Sequence, residues 1–389
     1  MISRVIKISL TLALQVRKCK TPAQAASADC NPGCHVGFRI VLSIDLCCLA
    51  RRKYMFEYIG SPLRYHKENH MSDCITAFEY EGGIVALDSG MVWPLMTACY
   101  VLETDDAVAL IEVGSNASVE RILKVLESRG RRPDEVSHVV VTHVHLDHAG
   151  GAGELVARMP NAQFVVHPYG SRHMIDPSRL EASTRDVYGD EAFDAMYGSL
   201  KPISPERVLI MEDGDSLEVG SRPLTFMDSP GHARHHFCIW DEQTRGWFTG
   251  DTFGISYRQF DTESGAFIFP TTTPVQFDPE PLIASIDRMM ERSPDNMYLT
   301  HFGRVQDVQR LAEMEKKAIQ RLVEIAEQHE GAENRTRAIE VDMMEWLLAG
   351  ALEHGVSLSE SAIREILQDD VVLNTQGIEF WLDHRAQAD

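Results

Sequence analysis

The sequence predicts an α/β fold: layered sheets and helices in the body of the chain, then a purely helical C-terminal region. Three observations predict it. Short apolar runs punctuated by turn residues follow one another after Tyr80. From residue 117 such runs alternate with segments of helical spacing. From Arg304 onward the 3.6-residue spacing continues almost alone.

The bulk numbers narrow the function classes. The chain has 389 residues, 44% hydrophobic and 24% charged, ordinary values for a globular protein. Its net charge of −21 repels nucleic-acid phosphates and anionic membrane surfaces, so neither is expected as a partner. No apolar run approaches the ~18 residues of a membrane helix. Five of the eight cysteines fall in the first 48 residues, and the other three are scattered without metal or disulfide spacing. Ordinary thiols of this kind point to a reducing, cytoplasmic location.

Residues 1–70 read differently from the rest. Eleven Lys and Arg against four acids give them a local charge of +7. Their apolar patches are brief, and Arg17, Lys18 and Lys20 follow the first one directly, which weakens a secretory signal. The expectation is that this segment stands outside the fold, with Met71 or Met55 as the true start.

The elements follow in order. Residues 84–87, 99–102 and 108–113 read as an antiparallel meander, with turns at Asp88-Ser89-Gly90 and Thr104-Asp105-Asp106. Residues 117–129 place Val119, Ile122, Leu123, Val125 and Leu126 on one helical face, and Gly130 stops the helix. Residues 136–142 form a β-branched strand, 154–159 a helix and 163–167 a strand. Residues 168–207 are a long insert carrying Tyr169, His173, Tyr188, Phe193 and Tyr197, either a lid or a helical excursion. Strands resume at 208–211, 224–227, 237–240, 246–250 and 297–300, with a helix over 279–291. Helices are expected over 305–328, 336–353 and 358–368, and a last short one over 374–382.

The chemistry gathers at strand ends. Residues 139–151 read Val-Val-Val-Thr-His-Val-His-Leu-Asp-His-Ala-Gly-Gly. Four ligand-type side chains, His143, His145, Asp147 and His148, are costly to bury unless paired or bound to metal. Alternation puts His143 and His145 to one side, while Asp147 and His148 face a second point. Gly150 and Gly151 leave room for close approach of the backbone to the metal site. Three later strand ends carry His232, Asp251 and His301. Singly each is an ordinary residue; in this order they complete a set of seven.

These motifs resemble those of the metallo-β-lactamase superfamily, and residues 80–303 look like its αββα sandwich, followed by a helical region over 304–389. Ser229-Pro-Gly-His-Ala and Phe248-Thr-Gly-Asp-Thr are similar to the glyoxalase II (hydroxyacylglutathione hydrolase) branch. The resemblance implies one metal on His143, His145 and His232, a second on Asp147, His148 and His301, and Asp251 between them. It implies a hydrogen-bonding role behind the ligands for His236, and Glu112 stands where relatives usually have an aspartate. The second site has no cysteine, which argues against a true β-lactamase. The residues that grip glutathione in glyoxalase II are not recognisable here.

Two divalent cations, zinc first and iron or manganese as alternatives, suit this mixture of imidazole and carboxylate. The expected activity is hydrolysis of an ester, thioester or lactone of a small molecule by a hydroxide bridging the metals. Asp147 would orient that hydroxide, and Tyr257, in a loop bordering the cleft, would donate to the oxyanion. An acyl-lactone hydrolase and a mononuclear-iron persulfide dioxygenase are the enzymatic alternatives, and a metal-bearing sensor is the non-enzymatic one. The C-terminal helices serve the pocket, the scaffold or a homodimer.

Overall fold

The computed structural model describes residues 75–272 and 275–385. The reading of residues 1–70 lies outside them. Seven strands form the first sheet in sequence order: β1 (Ala77–Tyr80), β2 (Ile84–Asp88), β3 (Ala98–Glu103), β4 (Val108–Ile111), β5 (Val136–Val140), β6 (Gln163–Val166) and β7 (Val208–Ile210). Its first four strands pair antiparallel, and β4 to β7 pair parallel. The second sheet has six: β8 (Ser216–Val219), β9 (Arg222–Asp228), β10 (Phe237–Asp241), β11 (Gly246–Gly250), β12 (Asn296–Leu299) and β13 (Gly303–Val305).

Two-residue periodicity splits the first sheet between two cores. Ile84, Ala86, Tyr100, Leu102, Ala109, Ile111 and Val140 face inward and meet Leu224, Phe226, Phe237, Ile239 and Phe248 of the second sheet. Val85, Leu87, Val101, Leu110 and Val139 face outward and are covered by α1 (Asn116–Ser128) and, past the short α2 (Leu146–Ala149), by α3 (Ala152–Arg158). Both faces of these strands are buried, which explains their continuous apolar runs. The insert folds as α4 (Pro168–Ile175), α5 (Ser178–Tyr188) and α6 (Asp190–Met196).

The outer face of the second sheet packs Cys238, Trp240, Trp247, Met297 and Leu299 against α7 (Pro279–Glu291), α8 (Val308–His329), α9 (Arg335–Glu353) and α10 (Glu360–Arg385). The layers therefore run helix, sheet, sheet, helix. The sequence reading placed two helices over 358–382; the structure has one. Asp370 and Asn374 lie on the same stripe as the buried Ile363, Leu367, Ile378 and Leu382, and both are themselves buried. Asn374 is bonded to the 270–272 segment and Asp370 Oδ1 to the Tyr257 hydroxyl, so the helix carries these polar residues inward without a break. No helix among the described residues is long and apolar enough to cross a membrane.

Candidate metal centre

Every predicted ligand follows the end of a strand or sits in the turn beyond it. β5 runs into His143 and His145, and α2 then carries Asp147 and His148. The turn after β9 presents His232; β11 leads to Asp251 and β12 to His301. Two backbone bonds join the sheets at this edge: Phe237 N–H to Thr142 O at 3.0 Å and Ala98 N–H to Thr300 O at 2.8 Å. Gly250, at φ +50°, is needed there, because a Cβ would meet Thr142 Oγ1 at 2.3 Å and His236 Nε2 at 2.5 Å. Gly150 and Gly151 do not make the close approach to the metal site that the sequence suggested. A Cβ on Gly151 would meet Ser115 O at 2.7 Å, so this pair packs α2 and α3 against the 113–115 turn.

The structure gathers the seven side chains into two facing sets. His145 Nδ1 lies 2.9 Å from His143 Nε2 and 3.1 Å from His232 Nε2. Asp147 Oδ2 lies 3.4 Å from His148 Nε2 and 3.2 Å from His301 Nε2. Asp251 divides between them. Its Oδ2 is 3.3 Å from His232 Nε2 and 4.0 Å from His143 Nε2, while its Oδ1 is 3.3 Å from His148 Nε2 and 3.6 Å from His301 Nε2. Four tetrahedral ligands about 2.0–2.1 Å from zinc stand roughly 3.3 Å from one another, so both sets fit a cation. His148 Nε2 and Asp251 Oδ1 are buried without a hydrogen-bond partner, which also calls for an ion there.

The electrostatics differ between the two sets. Burial, then neighbouring imidazoles, holds His143 well below its ordinary pKa, and burial with His232 holds His145 down to about 3. Neutral imidazoles are the form that binds metal. Burial opposes charge on His148 and His301 as well, but the carboxylates of Asp147 and Asp251 outweigh it and raise both. That half demands positive charge. His145 and Asp147 are half-buried while the other five are buried, so the site opens on their side.

Supporting residues lie behind the ligands. His236 accepts from the Asp251 N–H at 3.2 Å and bonds Ser229 Oγ through Nδ1 at 2.8 Å. Glu112 Oε2 meets His148 Nδ1 and accepts from Thr300 Oγ1 at 3.0 Å. Tyr257 departs from the reading of an open loop. It is fully buried, with Phe253, Ile255 and Phe260 around it in sequence, and its hydroxyl donates to Asp370 Oδ1 at 3.1 Å. The chain after Asp251 turns inward because these apolar residues pack beneath α10. Sequence reasoning missed Asp370, although a buried-stripe position occupied by aspartate was the signal available.

The metallo-beta-lactamase superfamily model matches residues 92–301. The metallo-beta-lactamase fold-containing protein ST1585 of Sulfurisphaera tokodaii is 26% identical over 228 residues, covering 57% of this chain and 79% of that protein. The crystal structure of ST1585 superposes with a TM-score of 0.55 at 23% identity, over 76% of this chain and 98% of that one. The acyl-coenzyme A thioesterase MBLAC2 of Gallus gallus is 31% identical over 118 residues, 29% of this chain and 40% of that protein. The hydroxyacylglutathione hydrolase of Methylococcus capsulatus is 30% identical over 159 residues, 39% of this chain and 49% of that protein. The chain thus spans less than half the length of these last two relatives.

Proposed function

The chain belongs to the metallo-beta-lactamase superfamily, and from that premise we propose that it is a binuclear metal-dependent hydrolase of ester, thioester or lactone carbonyls. The observation that carries this reading is the Asp251 carboxylate, with one oxygen toward each set of imidazoles. His143, His145, His232 and Asp251 Oδ2 would hold one cation; Asp147, His148 and His301 would hold the other, with Asp251 Oδ1 beside them. Such a pair supplies a nucleophilic water at neutral pH and polarises the carbonyl oxygen. Zinc suits the donor set, with iron and manganese as the alternatives.

The protein's own part is orientation. Asp147, on the open side, would accept a hydrogen bond from the attacking water, while its Oδ2 lies against His148 and His301. His236 keeps Asp251 in place through the backbone. The names of the thioesterase and hydroxyacylglutathione hydrolase relatives support a thioester first. The test is metal analysis of the purified full chain together with an ester, thioester and lactone panel, with Asp251→Ala as control. Two ions per chain and hydrolysis that the control lacks are the expected results. One iron per chain with oxygen consumption, or a metal-loaded chain inert across the panel, would overturn the reading.

A further inference from the structure

The metal-facing histidines are oriented by what stands behind them, and at His232 that chain of contacts runs into the C-terminal helix. His232 Nδ1 lies 3.3 Å from the carbonyl oxygen of Thr271. A carbonyl only accepts, so the Nδ1 carries the proton and Nε2 keeps its lone pair toward His145 and Asp251. The segment bearing that carbonyl is gripped on both sides by Asn374 of α10. Asn374 Oδ1 accepts from Thr272 N–H at 2.7 Å, and its Nδ2 donates to Pro270 O at 3.0 Å. Its own carbonyl accepts from Thr272 Oγ1 at 2.9 Å. Thr272 is fully buried and Asn374 nearly so, so no water competes for these bonds.

One helical turn earlier, on the same face, Asp370 accepts the Tyr257 hydroxyl at 3.1 Å. The neighbour of that tyrosine, Ser256, donates its N–H to His301 O at 2.5 Å and accepts from Phe302 N–H at 3.3 Å. A single face of α10 therefore reaches the segments behind both halves of the site, with the closer and more fully bonded path at His232.

We propose that Asn374 is a positioning residue for the metal centre: by clamping residues 270–272 it fixes the Thr271 carbonyl that orients His232. The inference rests on the reading of these histidines as metal ligands. It makes the C-terminal helix part of the metal site and not only a cover for the second sheet. Removing the amide breaks the bonds to Thr272 N–H and Pro270 O and loosens the 270–272 segment, and His232 then loses its fixed tautomer and direction.

The test uses the full chain, stripped by chelation and titrated calorimetrically with Zn2+ alone. His232→Ala identifies which binding step involves that ligand. Asn374→Ala should weaken the same step about 10–100-fold and leave the other unchanged. Leu382→Ala, buried on the same helix, should lower the melting temperature while both steps keep their affinity. Wild-type affinity at both steps in Asn374→Ala, or an equal loss in Leu382→Ala, would overturn the inference while the metal reading stands. If Asn374→Ala does not fold, Asn374→Asp keeps the acceptor for Thr272 and loses the donor to Pro270. A smaller weakening of the same step supports the inference, and no weakening overturns it. A wild-type chain that takes up no ion overturns the metal reading and this inference together.

Discussion

Glu112 braces His148 from behind, its Oε2 against the imidazole Nδ1. The same carboxylate accepts from Thr142 N–H at 2.6 Å through Oε1 and from Thr300 Oγ1 at 3.0 Å through Oε2. It is buried at the end of β4, and so ties the ends of β5 and β12 to one ligand. Glu112→Gln replaces one acceptor oxygen by a donor and cannot satisfy all three. The expected result is an affinity loss of about 10–100-fold for the cation at His148 and His301, read by competition titration with a chromogenic chelator. Unchanged affinity would show that the brace is dispensable.

Asp251 stands between the two sets, Oδ2 toward His232 and Oδ1 toward His148, and on the proposed reading it serves both. Asp251→Asn keeps the shape and removes the charge. Metal content should fall from two ions per chain to one or fewer, and kcat for the best substrate by more than about 100-fold, beyond what loss of a supporting residue costs. Inductively coupled plasma analysis and steady-state kinetics on one preparation measure both. Two tightly held ions in the variant would argue against a bridging carboxylate.

Glu315 lies on α8 with no exposure, and neither carboxylate oxygen has a hydrogen-bond partner. Burial pushes its pKa up to about 8. An unfolded glutamate titrates near ~4.3. Between those values the folded chain holds a proton that the unfolded chain has lost, so this group makes stability fall as pH rises, by up to about 1.4 kcal/mol per pH unit. Glu315→Gln should flatten that slope and raise the melting temperature most at the alkaline end of the window. Melts of both proteins at several pH values across the window check it, and parallel curves would refute it.

Arg222 and Asp241 form a buried two-point pair, 2.7 Å from Nε to Oδ1 and 2.5 Å from Nη2 to Oδ2. They join β9 to the end of β10 away from His236. Asp241→Asn leaves a buried guanidinium uncompensated and should cost about 3–5 kcal/mol in denaturant unfolding. Metal content should be unchanged, since the pair touches none of the seven ligands; a loss of metal would link this edge to the site.

Legibility in the sequence followed the range of the interactions. The run from His143 to His148 is readable because four ligand-type side chains crowd one turn after a valine strand. The central strands of the first sheet are readable because two-sided burial demands continuous apolar runs, as in Ile84–Asp88. Ala77–Tyr80, Ser216–Val219 and Gly303–Val305 were missed: each is short and polar at alternate places or lacks an apolar run, and pairing with longer neighbours makes it a strand. Tyr257 was misplaced because a tyrosine among apolar residues reads alike on a loop and in a core.

By itself the sequence determined the residue types that can ligate, their order at strand ends, and the alternation that divides the chain into sheet and helix layers. Those properties are local, carried by side-chain chemistry and by spacings of two or about three and a half residues. The tertiary structure alone decided which oxygen of Asp251 faces which imidazoles and that α10 runs unbroken. It alone brought Asp370 and Asn374 onto Tyr257 and Thr272, across 113 and 102 residues. Bonds over such separations leave no periodic trace in a sequence, because they are set by how layers pack and not by how neighbours along the chain repeat.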